Sequence, residues 1–278
     1  MASEHAHGTE FRDKYGPWAL VTGAAQGIGS AYAEALAQRG LKLILVDKQD
    51  ELLRQVAEEL RQRYGVDTRA VTVDLAAPNF IATVCQHTED VAVGLLICNA
   101  ALGTVGPFLD EPLEDLQLAI AINCTAPALL ARVFGKHMAD RGRGGIIFMA
   151  SGTAYYGNPF VASYAATKAY NLILGESLWY ELRDCGVDVL AFIPGPTNTP
   201  GLRKGRPGLK EGVEVGMIKL PSRAAEAALQ ALGHAPTAAR DLRMTLQIAL
   251  TTRILPRRKV IARFGSRLAM LRRTPRPK

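Results

Sequence analysis

Short apolar runs alternate with stretches of helical periodicity along most of this chain. Trp18–Thr22 is an apolar run that leads into glycines, and from Gly27 to Gln38 the positions Ile28, Tyr32, Ala35 and Leu36 recur at helical spacing. A second run, Leu41–Val46, ends at Asp47. After it, Gln49–Tyr64 reads as a charged amphipathic helix with Leu52, Leu53, Val56 and Leu60 on one side. A third strand is predicted over Thr68–Val73, just before Asp74 and Leu75. Val91–Cys98 and Val187–Ile193 are almost continuously apolar, as strands covered on both faces of a parallel sheet must be. Between them lie a long helical segment over Pro112–Ala139, the apolar run Ile146–Met149 and a further helix containing Ser163–Lys168. This alternation predicts an α/β fold: one doubly wound domain, a parallel sheet with helices on both faces.

Composition changes the picture at the two ends. A length of 278 residues and an apolar content of 48% suit one large domain with a substantial core. Met1–Gly16 is polar and charged, which predicts a loose arm over residues 1–16 rather than a signal peptide. No stretch holds the roughly 18 uninterrupted apolar residues of a spanning helix. The net charge of +7 is concentrated: residues 251–278 hold ten of the 33 basic residues and no acidic one, leaving 23 basic against 26 acidic elsewhere. Cys85, Cys98, Cys124 and Cys185 are far apart, with no C-x-x-C pair and no histidines at ligand spacing. They read as reduced core thiols of a cytoplasmic protein, and no metal site is expected.

The candidate chemistry centres on Tyr164 and Lys168, four residues apart and so on one helix face. A phenol ionises near pH 10 and carries protons poorly at neutrality unless a nearby positive charge stabilises its phenolate, which Lys168 is placed to do. Ser151, just past a predicted strand end, can hydrogen-bond the oxygen of an alcohol or ketone. Taken alone, this spacing is also that of any amphipathic helix face. Upstream, Gly23, Gly27 and Gly29 follow the first strand in a G-x-x-x-G-x-G pattern, which lets backbone approach a pyrophosphate at a helix N-terminus. Asp47 ends the second strand, where a carboxylate accepts hydrogen bonds from the adenosine ribose hydroxyls and repels a 2′-phosphate. That favours NAD, while Lys48 beside it keeps NADP open.

Thr22-Gly23-Ala24-Ala25-Gln26-Gly27-Ile28-Gly29, Asn99-Ala100, Asn123, Ser151, Tyr164, Lys168 and Pro194-Gly195 resemble, in order and spacing, the short-chain dehydrogenase/reductase family over roughly Pro17–Leu232. The resemblance implies a Rossmann-type domain that interconverts a secondary alcohol and a ketone by hydride transfer. It implies catalytic roles for Asn123, Ser151, Tyr164 and Lys168, with Asn123 holding a water of a proton relay. It implies cofactor contacts from Gly23, Gln26, Gly27, Ile28, Gly29, Asp47, Asn99, Ala100, Tyr164 and Lys168, with Asp74 and Leu75 bordering the adenine. Pro194, Gly195, Thr197 and Thr199 would meet the nicotinamide amide and phosphates. Ala101 stands where the family's Asn-Ala-Gly turn has glycine.

Pro200–Gly216, with five glycines and little periodicity, reads as a lid over substrate. Tyr155, Tyr156 and Phe160 follow Ser151 and either line a pocket or pack on the core. Met217–Leu232 and the basic ending resemble the branch of hydroxysteroid dehydrogenases and long-chain 3-oxoacyl reductases, whose substrates are large and apolar. The domain is expected over 17–235 and a basic helical extension over 236–278. In that extension Val260, Ile261, Phe264, Leu268 and Leu271 share one helix face beside Lys259, Arg263 and Arg267. That helix docks on the body, on a second subunit of a dimer or tetramer, or peripherally on an anionic membrane. No base-reading module is present, so no nucleic-acid partner is expected. The competing reading is a non-catalytic nucleotide-binding sensor or a membrane-surface scaffold on the same fold.

Overall fold

The structure is a computed structural model that describes residues 10–204, 206 and 208–273, with side chains up to residue 266. Among the described residues seven strands form one parallel sheet: β1 Trp18–Thr22, β2 Lys42–Asp47, β3 Thr68–Thr72, β4 Val93–Cys98, β5 Gly144–Met149, β6 Val187–Ile193 and β7 Thr237–Ala239. The spatial order is β3-β2-β1-β4-β5-β6-β7, so the winding reverses between β1 and β4. Ligands of doubly wound sheets bind in the crevice at such a reversal, beyond the strands' carboxyl ends. The register pairs Thr22 with Val46, and Val21 with Ile97. Asp47 and the residues after Cys98 therefore come to one edge beside the glycine turn.

The central strands are buried along their whole length, which is why β1, β4 and β5 read as continuous apolar runs. On one face of the sheet, helices α1 Gly27–Gln38 and α2 Asp50–Tyr64 pack through Tyr32, Leu36, Leu53 and Leu60 on Leu43, Leu45 and Ile97. On the other face lie α3 Phe80–Gln86, α4 Leu113–Ile120, α5 Ala126–Asp140 and α6 Ala162–Leu182. There Phe134, Leu130 and Met138 meet Leu20, Leu96 and Phe148. Two short helices follow β6: α7 Pro200–Lys204 in the expected lid, and α8 Pro221–Ala231, which joins α1 and α2 on the first face.

The helical run Leu113–Asp140 is long and apolar enough to cross a membrane by length and composition. Its α5 half is a helix of the domain body, because its apolar side chains fill the second core. The run is also not one regular helix. A π turn over Ala121–Thr125 separates α4 from α5, and Asn123 sits inside it.

Both ends depart from the expectations. Most of the arm lies outside the described residues, but residues 10–15 are helical, and Tyr15 is buried with its hydroxyl donating to Asp188 Oδ2 at 2.6 Å. The stretch assigned to the extension contains β7, too short to show a period-2 pattern, followed by α9 Leu242–Ala249 and α10 Arg257–Arg273. The cysteines are free thiols, yet only Cys98 is a core residue; Cys85 and Cys124 are half-buried and Cys185 is exposed. Cys185 lies in the 3-10 turn that leads to β6, where the chain runs along the surface.

Phe134, 2% exposed and central to the second face, tests this layering. Phe134→Ala should lower unfolding stability by roughly 3–5 kcal/mol through lost contacts and a residual cavity. Urea denaturation checks it, and a loss below about 1 kcal/mol would mean that the site collapses around the smaller side chain.

Candidate active site

The turn between β1 and α1 is shaped by glycines that no other residue replaces. Gly23 and Gly27 have φ of +66°, and a Cβ on Gly29 would lie 1.9 Å from the carbonyl oxygen of Gly23. Helix α1 begins without a side-chain cap at Gln26 and without an acidic residue in its first turn. Its leading N–H groups are thus available to an anion, and Gln26 is exposed beside them. Ile28 faces the other way and packs on the core of the first sheet face. Thr199, just before α7, brings its methyl to 3.2 Å from where a Cβ on Gly27 would sit.

Asp47 is fixed by local hydrogen bonds. Its Oδ2 accepts from Ala25 N at 3.1 Å and its Oδ1 from Gln49 N at 3.1 Å, so the carboxylate is held at the mouth of the glycine turn. Several other expected contact residues serve the backbone. Asn99 donates through Nδ2 to Thr22 O at 2.9 Å, while Asn99 N and Ala100 N both donate to Thr22 Oγ1, stapling β4 to β1. Asp74 accepts from Ala76 N at 2.9 Å within its own turn, and Leu75 packs into the second core. Thr197 is buried, its hydroxyl donating to Gly195 O at 3.0 Å. Gly195, at φ +67°, lies so close to Met244 that a Cβ would be 2.2 Å from the methionine's Cε. Arg240 donates to Pro194 O at 2.7 Å and to Pro196 O at 3.1 Å, holding the turn from behind.

The second group of residues meets where β5 ends against α6. Lys168 is 3% exposed, and its Nζ donates to Met149 O at 2.7 Å, two residues before Ser151. The same nitrogen lies 5.7 Å from the centroid of the Tyr164 ring. Ser151 Oγ accepts from Thr153 N at 3.2 Å and from Thr153 Oγ1 at 3.0 Å, and the serine side chain lies beside Tyr164. Gly103 passes over the tyrosine, where a Cβ would come within 3.0 Å of the ring. Ser163, next to Tyr164, donates to both oxygens of Glu111 at 2.8 Å. Thr153, Gly103, Glu111 and Arg240 carry no local sequence signal, because each acts on a partner distant in the chain or through a turn that only the fold defines.

Asn123 is fully buried in the π turn. Its Oδ1 accepts from Leu102 N at 2.8 Å and its Nδ2 donates to Leu102 O at 2.7 Å and Thr167 Oγ1 at 2.9 Å. The side chain is thereby committed to the loop over the site, and what it leaves for a relay is main-chain polarity in a turn that departs from α-helical bonding.

Electrostatics differ from the sequence expectation in one respect. Burial pushes the Tyr164 phenol above its ordinary value, and the Ser151 side chain beside it only partly opposes this. Burial likewise brings Lys168 down from 10.5 to about 8. The protein's own groups therefore hold a protonated phenol beside a lysine near its titration point. They do not by themselves produce the lowered phenol pKa expected from the Tyr-x-x-x-Lys spacing.

The pairing of a glycine turn at the β1/β4 reversal with this serine, tyrosine and lysine coincides with a family match: the model for short chain dehydrogenases covers residues 17–210. The chain belongs to the short-chain dehydrogenase family. It is thus an NAD(P)-dependent oxidoreductase acting between an alcohol and a ketone. Among its relatives, a 7beta-hydroxysteroid dehydrogenase of Collinsella aerofaciens is 33% identical over 80% of this chain and 85% of its own length. A solved 7beta-hydroxysteroid dehydrogenase structure superposes with a TM-score of 0.86 at 30% identity, covering 92% of this chain and 99% of that one. A short-chain dehydrogenase from Sphingobium yanoikuyae, solved in complex with NADPH, gives a TM-score of 0.74 at 28% identity over 94% and 98% of the two chains. The uncapped α1 terminus and the glycine turn fit the pyrophosphate of such a cofactor.

The buried lysine of this dehydrogenase makes a prediction about pH. Its folded pKa lies below the ordinary value, so between about pH 8 and 10.5 the unfolded chain keeps a proton there that the folded chain has released. Stability contributed at this position therefore rises with pH through that window. Melting temperatures of wild type and Lys168→Met, compared from pH 8 to 10.5, should move in favour of wild type. A constant difference would show that burial does not destabilise the ammonium.

Proposed function

We propose that this dehydrogenase interconverts a secondary alcohol and a ketone on a bulky apolar substrate, steroid-like or long-chain 3-oxoacyl, with Tyr164 as the proton carrier. The observation that carries the reading is the grouping of Ser151, Tyr164 and Lys168, with Lys168 buried, its Nζ on Met149 O and 5.7 Å from the Tyr164 ring centroid. In reduction, the Tyr164 phenol gives its proton to the carbonyl oxygen as carbon accepts hydride; in oxidation, the phenolate takes the hydroxyl proton back. Ser151, held by two bonds from Thr153, orients the reacting oxygen. Lys168 favours the phenolate electrostatically, and Asn123 keeps the loop at Leu102 in place over the site. A bound nicotinamide supplies the hydride acceptor or donor and, when oxidised, a positive charge that favours the phenolate. The apolar substrate class is supported by the steroid dehydrogenases among the relatives and by the aromatic loop after Ser151.

NAD is the favoured cofactor on this reading. Asp47, anchored to Ala25 and Gln49, presents a fixed negative charge where a 2′-phosphate would lie, and Lys48 at the exposed next position opposes it only from outside the turn. The assembly is read as a homo-oligomer, a dimer or tetramer. Exposed Leu113, Ile120 and Leu129 on α4 and α5, with Tyr170, Ile173 and Tyr180 on α6, support a subunit contact there.

Tyr164→Phe should cut turnover by at least about 100-fold while nucleotide binding persists, since only the proton path is lost. Nicotinamide absorbance against a panel of steroid ketones and 3-oxoacyl thioesters reads the first quantity, and cofactor fluorescence titration reads the second. Retained turnover would overturn the assignment of Tyr164. Separately, Asp47→Ser should raise the NADP(H) to NAD(H) preference about tenfold, the effect of removing one like charge worth about 1.4 kcal/mol. An unchanged ratio would remove Asp47 from cofactor choice.

A further inference from the structure

Helix α9 is apolar on two opposite sides. Inward, Met244 and Ile248 pack against Leu172, Ala191, Ile193 and Met217. Outward, Leu242, Leu246, Leu250 and Ile254 recur every fourth residue and are 73, 61, 46 and 71% exposed. On a regular α-helix a step of four residues overshoots a full turn by about 40°, so such a stripe would wind away. The π turn over Leu250–Ile254 holds more residues per turn and so turns Ile254 back toward the line of Leu246. The stripe thus drifts over one side of the segment and is exposed along its whole length.

Beyond its first residue, the segment that carries the stripe has one sign of charge. Asp241 is the last acidic residue of the chain; residues 242–278 hold eleven Lys or Arg and no carboxylate side chain. Arg243, Arg253, Arg257 and Arg258 are all exposed along or just beyond the stripe.

The apolar face of α10, which the sequence offered for membrane contact, is occupied elsewhere as far as its side chains are described. Val260 is 2% exposed, the Phe264 ring lies 5.0 Å from Tyr156, and a Cβ on Gly157 would sit 3.5 Å from Ile261. Gly265 approaches Pro159, and Arg257 donates to Tyr155 O at 3.3 Å. The start of α10 thus docks on the loop after Ser151 and leaves Arg258, Lys259 and Arg263 facing out. The side chains of Arg267, Leu268 and Leu271 lie outside the described residues.

We propose that the stripe Leu242–Leu246–Leu250–Ile254, with its flanking arginines, is a peripheral docking surface for an anionic lipid bilayer. Two-fold contact of the stripe with a second copy would set arginine against arginine, with no carboxylate in the segment to pair them. An anionic bilayer meets both features at once, an apolar interior for four aliphatic side chains and negative headgroups for the arginines. The surface differs from the α10 face expected from sequence. It does not depend on the catalytic reading, since vesicle binding is measured without turnover.

The test uses the full chain and flotation with vesicles of equimolar phosphatidylglycerol and phosphatidylcholine, against phosphatidylcholine alone. Wild type should float with the anionic vesicles, bind neutral ones at least about tenfold more weakly, and lose binding as salt rises. The double variant Leu246→Gln/Ile254→Gln replaces exposed side chains, should keep the wild-type melting temperature, and should lose at least about tenfold in anionic-vesicle binding. Equal flotation of wild type and double variant would overturn the proposal, whichever segment then holds the lipid. Absence of flotation by wild type would overturn it too; light scattering that shows a smaller assembly for the double variant would then assign the stripe to a contact between copies.

Discussion

An ammonium buried against a single strand end sets the geometry of this site. Taking Lys168 out of water is unfavourable, and the cost is only partly offset by its bond to Met149 O, as its pKa near 8 records. The same bond locks α6 onto the end of β5. Because Met149 precedes Ser151 by two residues and Tyr164 lies one turn before Lys168, the lysine fixes where serine and tyrosine meet. Burial acts on the two titratable groups in opposite senses, lowering the amine and raising the phenol, since it penalises the charged form of each. The scaffold thus supplies placement, a phenol that holds its proton and an amine that releases its own more readily. Positive charge at the moment of oxidation is what the proposed reaction draws from its cofactor.

At the β1/β4 reversal the constraint is closeness of backbones. The Gly29 position tolerates no side chain because the Gly23 carbonyl occupies its space, and Thr22 and Asn99 tie the two strand ends together. Residues that a motif groups as cofactor-binding therefore separate into two kinds. Asn99, Asp74 and Thr197 hold main chain in shape, while the α1 terminus and Asp47 present charge outward. Changing the first kind would disturb every ligand equally; changing the second would discriminate between ligands.

The strands β1 to β6 and the helices α1, α2, α4–α5 and α6 were legible because burial on both faces leaves continuous apolar runs and one-sided burial leaves a 3.6 period; the short α3 was not predicted. The glycine, serine, tyrosine and lysine positions were legible because their chemistry demands fixed spacings. β7 was not: three half-buried residues carry no period, and it joins the sheet only because β6 offers an open edge. The π turn at Asn123 was equally hidden, since its sequence is that of a helix and its partner Leu102 lies in a loop that only the fold brings beside it. Thr153, Glu111 and Arg240 could not be singled out, because a hydroxyl, a carboxylate or a guanidinium gains its role from what the fold brings beside it.

On the proposed reading the loop after Ser151 borders the reacting oxygen, and it is shaped by a different rule from the centre. The loop after Ser151 is pinned at three places: by Asn158, whose amide bonds Thr153 O and Tyr156 O; by Gly106 N donating to Phe160 O at 2.8 Å; and by α10 against Tyr156 and Pro159. Phe160 holds a φ of +68°, a strained conformation that persists only when its surroundings impose it. Those surroundings include the chain's C-terminal helix, far from the catalytic motif in sequence. On that reading the reacting centre is set within the sheet and α6, whereas the proposed substrate wall depends on segments that family motifs do not describe. This separation explains physically why the chemistry of this dehydrogenase can be read residue by residue while its substrate is approached through the packing of its last helices.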